Sequence, residues 1–303
     1  MDNTPRYSLA GQIFVAPKHA DIRGLRRVEE HELIRFQESI AQITDFATHY
    51  ALLQICTINF GELMGFYKQV QHEFSKTHKI DETSADQILN EANRFLINYL
   101  SSFKTMIDHY QTRYTRLDYS GSQYLANFKA LTNNIYDSSF SYRFLYKLRN
   151  YVQHCGLPVQ SASGQVYQDE KDKVDAQIAI YFDRDSLLER FDGWGKVKQE
   201  LKAQPTKMEI SVHLIEFHQQ VLNIYNGLIQ TELEIMKEAR NYLASLVSEV
   251  HKQLPGAKPL IIDFSKVSPT GGSLPILGIP VKELETINQI ETNLYTGNKN
   301  TSI

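Results

Sequence analysis

The sequence predicts a mainly α-helical protein, in which a helical bundle carries a small β-hairpin insertion and an extended C-terminal arm. Apolar residues recur at the spacing of amphipathic helices through four long regions of the chain. Residues 164–183 instead place β-branched and aromatic side chains on both sides of a charged turn, which is typical of a hairpin. After residue 253, proline and glycine become frequent, which favours extended structure.

The first helical region follows a short strand, which we predict over residues 8–15. The helical spacing then runs from residue 20 to about residue 75. We expect a break near Gly61 or Gly65, because glycine weakens the interior of a helix. The apolar positions that define the buried face of this helix include Leu33, Phe36, Ile40 and Ile43.

The second and third helical regions have more sharply marked boundaries. Ser84 followed by Gln87 matches a capping box, which predicts a helix start there. The apolar spacing continues from this start to about Leu117. The third region covers residues 123–155, with a break expected around residues 137–139.

The remaining elements complete the bundle. Residues 164–167 and 176–183 are the predicted strands of the hairpin. A last long helix is predicted over about residues 206–252, with an apolar stripe formed by Leu214, Phe217, Val221, Ile224 and Leu228. The arm that follows is expected to dock on its own chain, on a sister subunit or on a partner protein through Ile276, Ile279, Leu284, Ile287 and Ile290.

These elements suggest three parts of the chain. Residues 1–80 are predicted to form an N-terminal strand and a long helical region that packs on the bundle. Residues 81–252 form the helical domain itself, with the hairpin at about residues 157–183. Residues 253–303 form the extended C-terminal arm or tail.

Composition and charge limit the classes of function. The chain of 303 residues is 42% hydrophobic and 22% charged, as in soluble globular proteins. It has no run of about 18 apolar residues and no N-terminal secretory signal, so we expect a cytoplasmic protein that does not engage a membrane. Its two cysteines are expected to be free thiols. A net charge of -3 argues against broad nucleic-acid affinity, so any contact with RNA must be local.

Several catalytic and cofactor motifs are missing from the sequence. It contains no phosphate-binding loop, no dinucleotide-binding glycine pattern, no His-Glu-x-x-His pair and no nucleophile elbow. The histidines show no paired metal-ligand spacing, so we predict neither a cofactor nor a metal. Cys155 beside His154 fits a buried apolar thiol better than a Cys-His nucleophile, because adjacent helical residues point about 100° apart.

The end of the third helical region concentrates polar chemistry in the segment RNYVQH. Gly156 favours a left-handed helix end and Pro158 cannot continue the helix, so a guanidinium, an amide and an imidazole fall in its last turns. Asn150 and His154 lie within about 40° of each other around the helix, whereas Arg149 is about 140° from His154. Two such helices, side by side in a symmetric dimer, would bring these groups together.

This pattern resembles the Arg-x4-His motif of the HEPN superfamily, whose catalytic members often carry a polar residue such as Asn directly after the arginine. The resemblance covers about residues 85–155. It implies a HEPN-like bundle, a homodimer with two motif copies around one cleft, and a metal-independent endoribonuclease of a kind frequent in toxin and phage-defence systems. It also implies Arg149, Asn150 and His154 as the catalytic residues. Gly156 stands where some members have the tyrosine of a His-x-Tyr extension, so regulation through such a tyrosine is not expected.

In this chemistry the RNA supplies its own nucleophile, the 2′-hydroxyl. His154 is expected to transfer a proton because imidazole titrates near neutral pH, and Arg149 to neutralise the phosphate through forked hydrogen bonds. Asn150 would orient the phosphate or the imidazole. Further RNA contacts are expected from polar residues on the same helix and on the preceding one, namely Arg143, Lys147, Asp108, His109 and Arg113.

Two other interpretations use the same residues. A catalytically inactive HEPN-like bundle would bind RNA, a nucleotide or a protein partner through this polar face. A purely structural role would have Arg149 bonded to a carboxylate and His154 stabilised by the helix dipole. The same spacing also occurs at Arg26 and His31, where a solvated charged face near a helix start is sufficient explanation.

Overall fold

The computed structural model describes residues 6–16, 19–118, 123–168, 174–264 and 275–296. In these segments helices predominate and two small antiparallel sheets accompany them, which confirms the mainly α prediction with a β insertion. None of the described helices is both long enough and apolar enough to span a bilayer. The elements in chain order are β1 (Tyr7–Ala16), β2 (His19–Arg27), α1 (Glu30–Thr77), α2 (Glu82–Leu117), α3 (Tyr124–Ser138), α4 (Phe140–His154), β3 (Val159–Gln168), β4 (Val174–Asp183), α5 (Arg184–Arg190), α6 (Val197–Lys202), β5 (Lys207–Glu209), α7 (Ile210–Ile235), α8 (Lys237–Gln253), β6 (Lys258–Asp263), β7 (Ile276–Gly278) and α9 (Val281–Thr296).

The chain divides into two compact units. The first consists of Met1–Thr48 together with Gln230–Ile303, and the second of His49–Ile229. Helices α1 and α7 therefore contribute residues to both units. These bounds differ from the three parts suggested by the sequence, whose boundaries fall after residues 80 and 252.

The first unit contains a four-stranded antiparallel sheet with the order β2-β1-β6-β7. Strand β2 contradicts one prediction, because the helical spacing predicted a helix from residue 20 onward. Residues 20–27 instead pair with β1, with Ile22 opposite Gln12 and Gly24 opposite Ala10. Local spacing could not reveal this strand, since strand formation depends on the partner strand and on packing across the sheet.

In the first unit, residues 258–263 and 276–296 form strands and a helix rather than the predicted extended arm. Strand β6 is buried and pairs with β1, and β7 pairs with β6. In α9, Glu291 accepts hydrogen bonds from Arg240 of α8 at 2.6 and 3.2 Å. The region docks on its own chain, because four of the five apolar positions expected to dock are buried. These are Ile279, Leu284, Ile287 and Ile290, whereas Ile276 is 39% exposed.

Helices α1 and α2 differ from their predictions in detail. Helix α1 is uninterrupted over 48 residues, so the break expected at Gly61 or Gly65 does not occur. A glycine costs a helix only about 1 kcal/mol, which the packing of a long helix outweighs. Helix α2 starts earlier than the predicted capping box, because the Asp81 side chain accepts a hydrogen bond from the backbone N–H of Ser84 at 2.7 Å. Its predicted end at Leu117 is confirmed.

The second unit also contains the predicted hairpin. It is confirmed as β3 and β4, which are longer than predicted, and β5 completes a sheet with the order β3-β4-β5. No element was predicted from the sequence at α5 or α6. The predicted last helix is wrong at its start, because residues 207–209 form β5 and the helix begins at Ile210. The predicted last helix is divided at Met236 into α7 and α8, while its stripe from Leu214 to Leu228 is buried as expected.

Aromatic side chains form the core of the second unit and hold α4 from two sides. Phe103 of α2 lies edge-on to Tyr142 of α4, with ring centroids 5.7 Å apart. On another side of α4, Trp194 stacks on Phe144 at 5.7 Å. Rings of this size bury large apolar areas in a close-packed interior, so α4 has little freedom to shift.

Candidate functional site

The helix that carries the RNYVQH segment is α4. It begins after Ser139, whose hydroxyl accepts a hydrogen bond from the backbone N–H of Tyr142 at 3.1 Å. It ends at His154, and Gly156 then adopts a φ of 144°, which favours glycine. Both the break predicted before this helix and its predicted end are therefore confirmed.

One face of α4 is fully buried and sets the direction of its other side chains. Phe144, Leu145, Leu148 and Tyr151 each expose 0% of their surface. Their positions along the chain place them on one side of the helix, which is its core face. Because an α-helix turns by about 100° per residue, this buried face determines the flanks on which the polar residues lie.

Arg149 lies on the flank of α4 that faces α2. It follows Tyr142 by two turns and Tyr146 by one turn, and both of these rings contact Phe103 of α2. The side chain is half-buried, and its Nε is buried with no hydrogen-bond partner among the described residues. A buried N–H without a partner costs about 1–3 kcal/mol, so stability alone does not explain this guanidinium.

His154 and Asn150 lie on a different flank of α4. His154 is the exposed last residue of the helix, and Asn150 is half-buried one turn earlier. His154 also follows Arg143 by three turns, and Arg143 binds α6. The structure therefore brings Asn150 and His154 together, but within one chain Arg149 lies about 140° from His154 and about 100° from Asn150 around the helix.

Arg143 is engaged by other parts of the fold. Its Nη2 and Nε donate hydrogen bonds to the Glu200 carboxylate of α6 at 2.5 and 3.1 Å. Its Nη1 donates to the carbonyls of Tyr136 and Asp137, at the end of α3, at 2.5 and 2.7 Å. This predicted RNA-binding residue therefore joins α3, α4 and α6. Lys147 lies one turn further along α4 and is half-buried.

The candidates on α2 lie far from the end of α4. Asn93 is the residue of α2 that lies near the end of α4, because its side-chain amide binds the N–H and the C=O of Val159, five residues after His154. Asp108 and His109 follow Asn93 along the same helix by about 23 Å of axial distance. The structure therefore does not bring these two residues to the RNYVQH segment.

Each α2 candidate has its own local neighbours. Asp108 is exposed and pairs with Lys104 one turn before it. His109 is exposed, with its ring centroid 6.2 Å from that of His49 in α1. Arg113 exposes only 7% of its surface, so an RNA phosphate has little access to it.

Arg190 is a nearby cation that was not among the predicted site residues. It is the last residue of α5, and its Nη1 lies 3.9 Å from the point that a β-carbon would occupy on Gly156. Burial raises the pKa of the Tyr151 phenol, and the Arg190 guanidinium opposes that rise. A positive charge is therefore present where α4 ends. No local pattern indicates Arg190, because its position depends on how α5 packs.

The second Arg-x4-His pair has a different environment. Arg26 is the penultimate residue of β2, and its Nε donates to Glu249 of α8 at 2.7 Å. Its Nη1 donates to Glu32 of α1 at 3.1 Å. The hydrogen bonds to Glu249 are the largest cause of the raised pKa of Arg26. Arg26 therefore links three elements of the first unit, while His31 is exposed.

Comparison with known proteins provides no precedent for this chain. No protein-family model, no curated protein and no solved structure matches it. In the part of the chain that the structure describes, no group of three or more His, Cys, Asp or Glu side chains is arranged to hold a metal ion. The case for a site at the end of α4 rests on its geometry and its residue types.

Proposed function

We propose that the protein is a metal-independent endoribonuclease of the HEPN type, in which Arg149, Asn150 and His154 act on RNA. The observation that supports this most directly is the state of Arg149. Its buried Nε has no hydrogen-bond partner among the described residues, although it lies in the last turns of a helix that ends at an exposed imidazole. A buried polar group without a partner requires an explanation, and a role in binding or catalysis is one that fits its place in the last turns of α4.

Arg149 also differs from the two arginines described above. Arg143 and Arg26 both use their guanidinium groups to bind carboxylates. A guanidinium that is not committed to a carboxylate keeps its donors for a phosphate, whose oxygens match the planar fork in two parallel hydrogen bonds. This contrast supports anion binding as the role of Arg149.

The proposed reaction uses the RNA 2′-hydroxyl as the nucleophile. Its oxygen attacks the adjacent phosphorus, the bond to the 5′-oxygen of the next nucleotide breaks, and a 2′,3′-cyclic phosphate forms. His154 accepts the proton of the 2′-hydroxyl or donates one to the leaving oxygen. Arg149 stabilises the charge that develops on the phosphate, and Asn150 orients the imidazole or the phosphate.

The position of the two groups on α4 supports a site that is shared between two chains. Arg149 and His154 lie on separate flanks, so one helix presents them in different directions. In a symmetric dimer, Arg149 of one chain and His154 of the other would face one phosphate, and the two-fold axis would create two such sites. The proposed active form is therefore a homodimer.

A catalytically inactive bundle that binds RNA, a nucleotide or a protein partner is the second candidate. The separation of Arg149 and His154 in one chain favours it, because a binding surface does not need both groups at the same phosphate. Such a protein would bind RNA through the end of α4 and leave it intact.

Cleavage of total bacterial RNA and tRNA by the purified full chain in EDTA tests the proposal. We expect products with 2′,3′-cyclic phosphate and 5′-hydroxyl ends. Products with 5′-phosphate ends, or a strict requirement for Mg²⁺, would contradict the mechanism. RNA that is bound but not cut would favour the second candidate, and a gel-shift measurement under the same conditions detects that outcome.

A further inference from the structure

Strand β3 has a free edge in the second unit. It is the first strand in the order β3-β4-β5, and Ala162 and Gly164 lie opposite Ile180 and Ile178 of β4. The Gln71 side chain binds the Ile178 N–H at 2.9 Å and the Ala176 carbonyl at 2.6 Å, on the side of β4 away from β3.

This contact determines which backbone groups of β3 point outward. In an antiparallel pair, opposite residues either exchange both hydrogen bonds or turn their N–H and C=O groups away from each other. Because Ile178 directs its N–H toward Gln71, its partner Gly164 directs its own groups away from β4. The period of two extends this orientation to Ala162 and Val166.

Side-chain amides bind the outward backbone groups of the sheet at two neighbouring places. Gln71 occupies the outer side of β4, as described above. Asn93 does the same at the start of β3, where its Nδ2 and Oδ1 bind the C=O and the N–H of Val159, each at 3.0 Å. Among the described residues, no comparable hydrogen bond reaches the outward groups of Ala162, Gly164 or Val166. These three residues form an open edge, and open edges are templates for strand addition.

A groove runs beside this open edge. The groove is open to solvent and has a volume of about 390 Å³, with the edge of β3 on one side and the start of α2 on the other. Phe74 and Ile80 supply apolar lining, and the Phe74 ring packs so closely on Gly164 that it leaves no room for a β-carbon there. Val166, which also lines the cavity, is 48% exposed.

The polar lining of the groove is mainly acidic. Asp81 and Glu82 lie together at the start of α2, and His78 is the third polar residue. Asp81 is held in place through its hydrogen bond from Ser84. If β3 paired with β3 of a second copy about Gly164, the symmetry would bring the two acidic helix starts toward each other. The charge therefore favours a foreign segment that carries Lys or Arg.

We infer that the open edge at Ala162, Gly164 and Val166 binds an extended, basic segment of a partner protein. The segment adds to the sheet as a further strand, and its backbone pairs with the three outward residues. An apolar side chain of the segment packs against Phe74 and Ile80, and a neighbouring Lys or Arg lies beside Asp81 and Glu82. This surface is independent of the proposed ribonuclease site on α4.

Two fluorescein-labelled peptides of ten residues provide the probe, one alternating Val with Lys and the other alternating Val with Glu. Fluorescence anisotropy with the full chain should show at least about tenfold tighter binding of the Val-Lys peptide. Glu82→Lys should reduce or reverse this preference, since it changes the charge beside the edge. Equal binding of both peptides by the wild-type chain would contradict the inference.

Replacement of a single outward N–H tests the pairing itself. Val166→Pro removes an N–H that makes no hydrogen bond to β4 and also places the ring in the path of an added strand. It should lower the affinity for the Val-Lys peptide by about tenfold. The control Val166→Thr keeps the N–H and should bind the peptide as the wild type does. Unchanged binding by a folded Val166→Pro chain would overturn the inference.

Amide hydrogen exchange in the wild-type chain gives a test that needs no variant. The amides of Ala162, Gly164 and Val166 should exchange faster than those of Ser163 and Gln165, which face β4. The Val-Lys peptide should slow exchange at the three outward positions. If the peptide protects only other parts of the chain, strand addition at this edge is wrong.

Discussion

Arginine precedes histidine by five residues at two places in this chain, and the two arginines have different surroundings. Arg26 donates hydrogen bonds to Glu249 and Glu32, which lie on α8 and α1. Arg149 sits in the last turns of α4 with a buried Nε that has no partner among the described residues. His31 and His154 are both exposed, so the histidines do not separate the two pairs.

The difference shows that the spacing alone does not define a functional site. At Arg26 two carboxylates satisfy the charge, so the residue stabilises the fold. At Arg149 no such carboxylate is found among the described residues, and the Nε lies where an unsatisfied N–H costs free energy. Whether the guanidinium is already bound to a carboxylate therefore discriminates between the two pairs better than the sequence pattern does.

The largest expected difference between the two pairs is in the rate of RNA cleavage after each histidine is replaced by alanine. His154→Ala should lower RNA cleavage by about 10²–10⁴-fold, which is the usual contribution of a general acid or base. His31→Ala is the matched control and should cleave at the wild-type rate. Both rates are measured on the same tRNA in EDTA. If the two variants lose activity equally, the distinction between the pairs fails, and if neither does, His154 is not catalytic.

A mixing experiment tests whether Arg149 and His154 act from different chains. Arg149→Ala and His154→Ala should each be inactive, but a mixed dimer of the two retains one intact site when the site is shared. With random assortment, half of the dimers are mixed and one of their two sites works, so roughly a quarter of the wild-type activity should return.

The control for this experiment is a mixture of Arg149→Ala with Arg149→Met, which cannot rebuild a site and should stay inactive. Refolding the variants together ensures that subunits exchange. Recovery in neither mixture, with dimers demonstrated by light scattering, would place the two residues in one site on a single chain or remove them from catalysis.

Those parts of the fold that depend on local chemistry were predictable from the sequence. The end of α2 at Leu117, the interruption at Ser139 and the end of α4 at His154 follow from apolar spacing and from capping residues. Strand β2 was not predictable, because its residues pair with a strand across the sheet. The folded C-terminal region was missed for the same reason, since β6 gains its stability from β1.

The candidate site shows the same division between local and distant information. The sequence singles out Arg149, Asn150 and His154 as candidates, because all three lie within two turns of one helix. It could not show that Arg143 is bound by Glu200, which is 57 residues further along the chain. Nor could it place Arg190 near Gly156, because that proximity depends on the packing of α5. Local patterns thus proposed the residues, and tertiary contacts determined which of them remain available.

The smallest expected effect is on stability, where replacing Arg26 should destabilise the fold and replacing Arg149 should not. Arg26→Met removes charge-assisted hydrogen bonds that solvent partly screens, so the free energy of unfolding should fall by about 0.5–1 kcal/mol. Arg149→Met removes a buried N–H that has no partner in the described part of the chain, so the free energy of unfolding should stay the same or rise by up to about 1 kcal/mol. Methionine keeps an unbranched apolar stem in both places, which limits the change in packing.

Urea unfolding followed by circular dichroism measures both changes against the wild-type chain. If Arg149→Met lowers the free energy of unfolding by more than about 1 kcal/mol, this guanidinium stabilises the fold as Arg26 does. That result would favour the purely structural interpretation of the motif. A stable Arg149→Met that no longer cleaves RNA would show the opposite. Such a variant would separate function from stability at one residue, since the group that the fold does not need would be the one that the reaction requires.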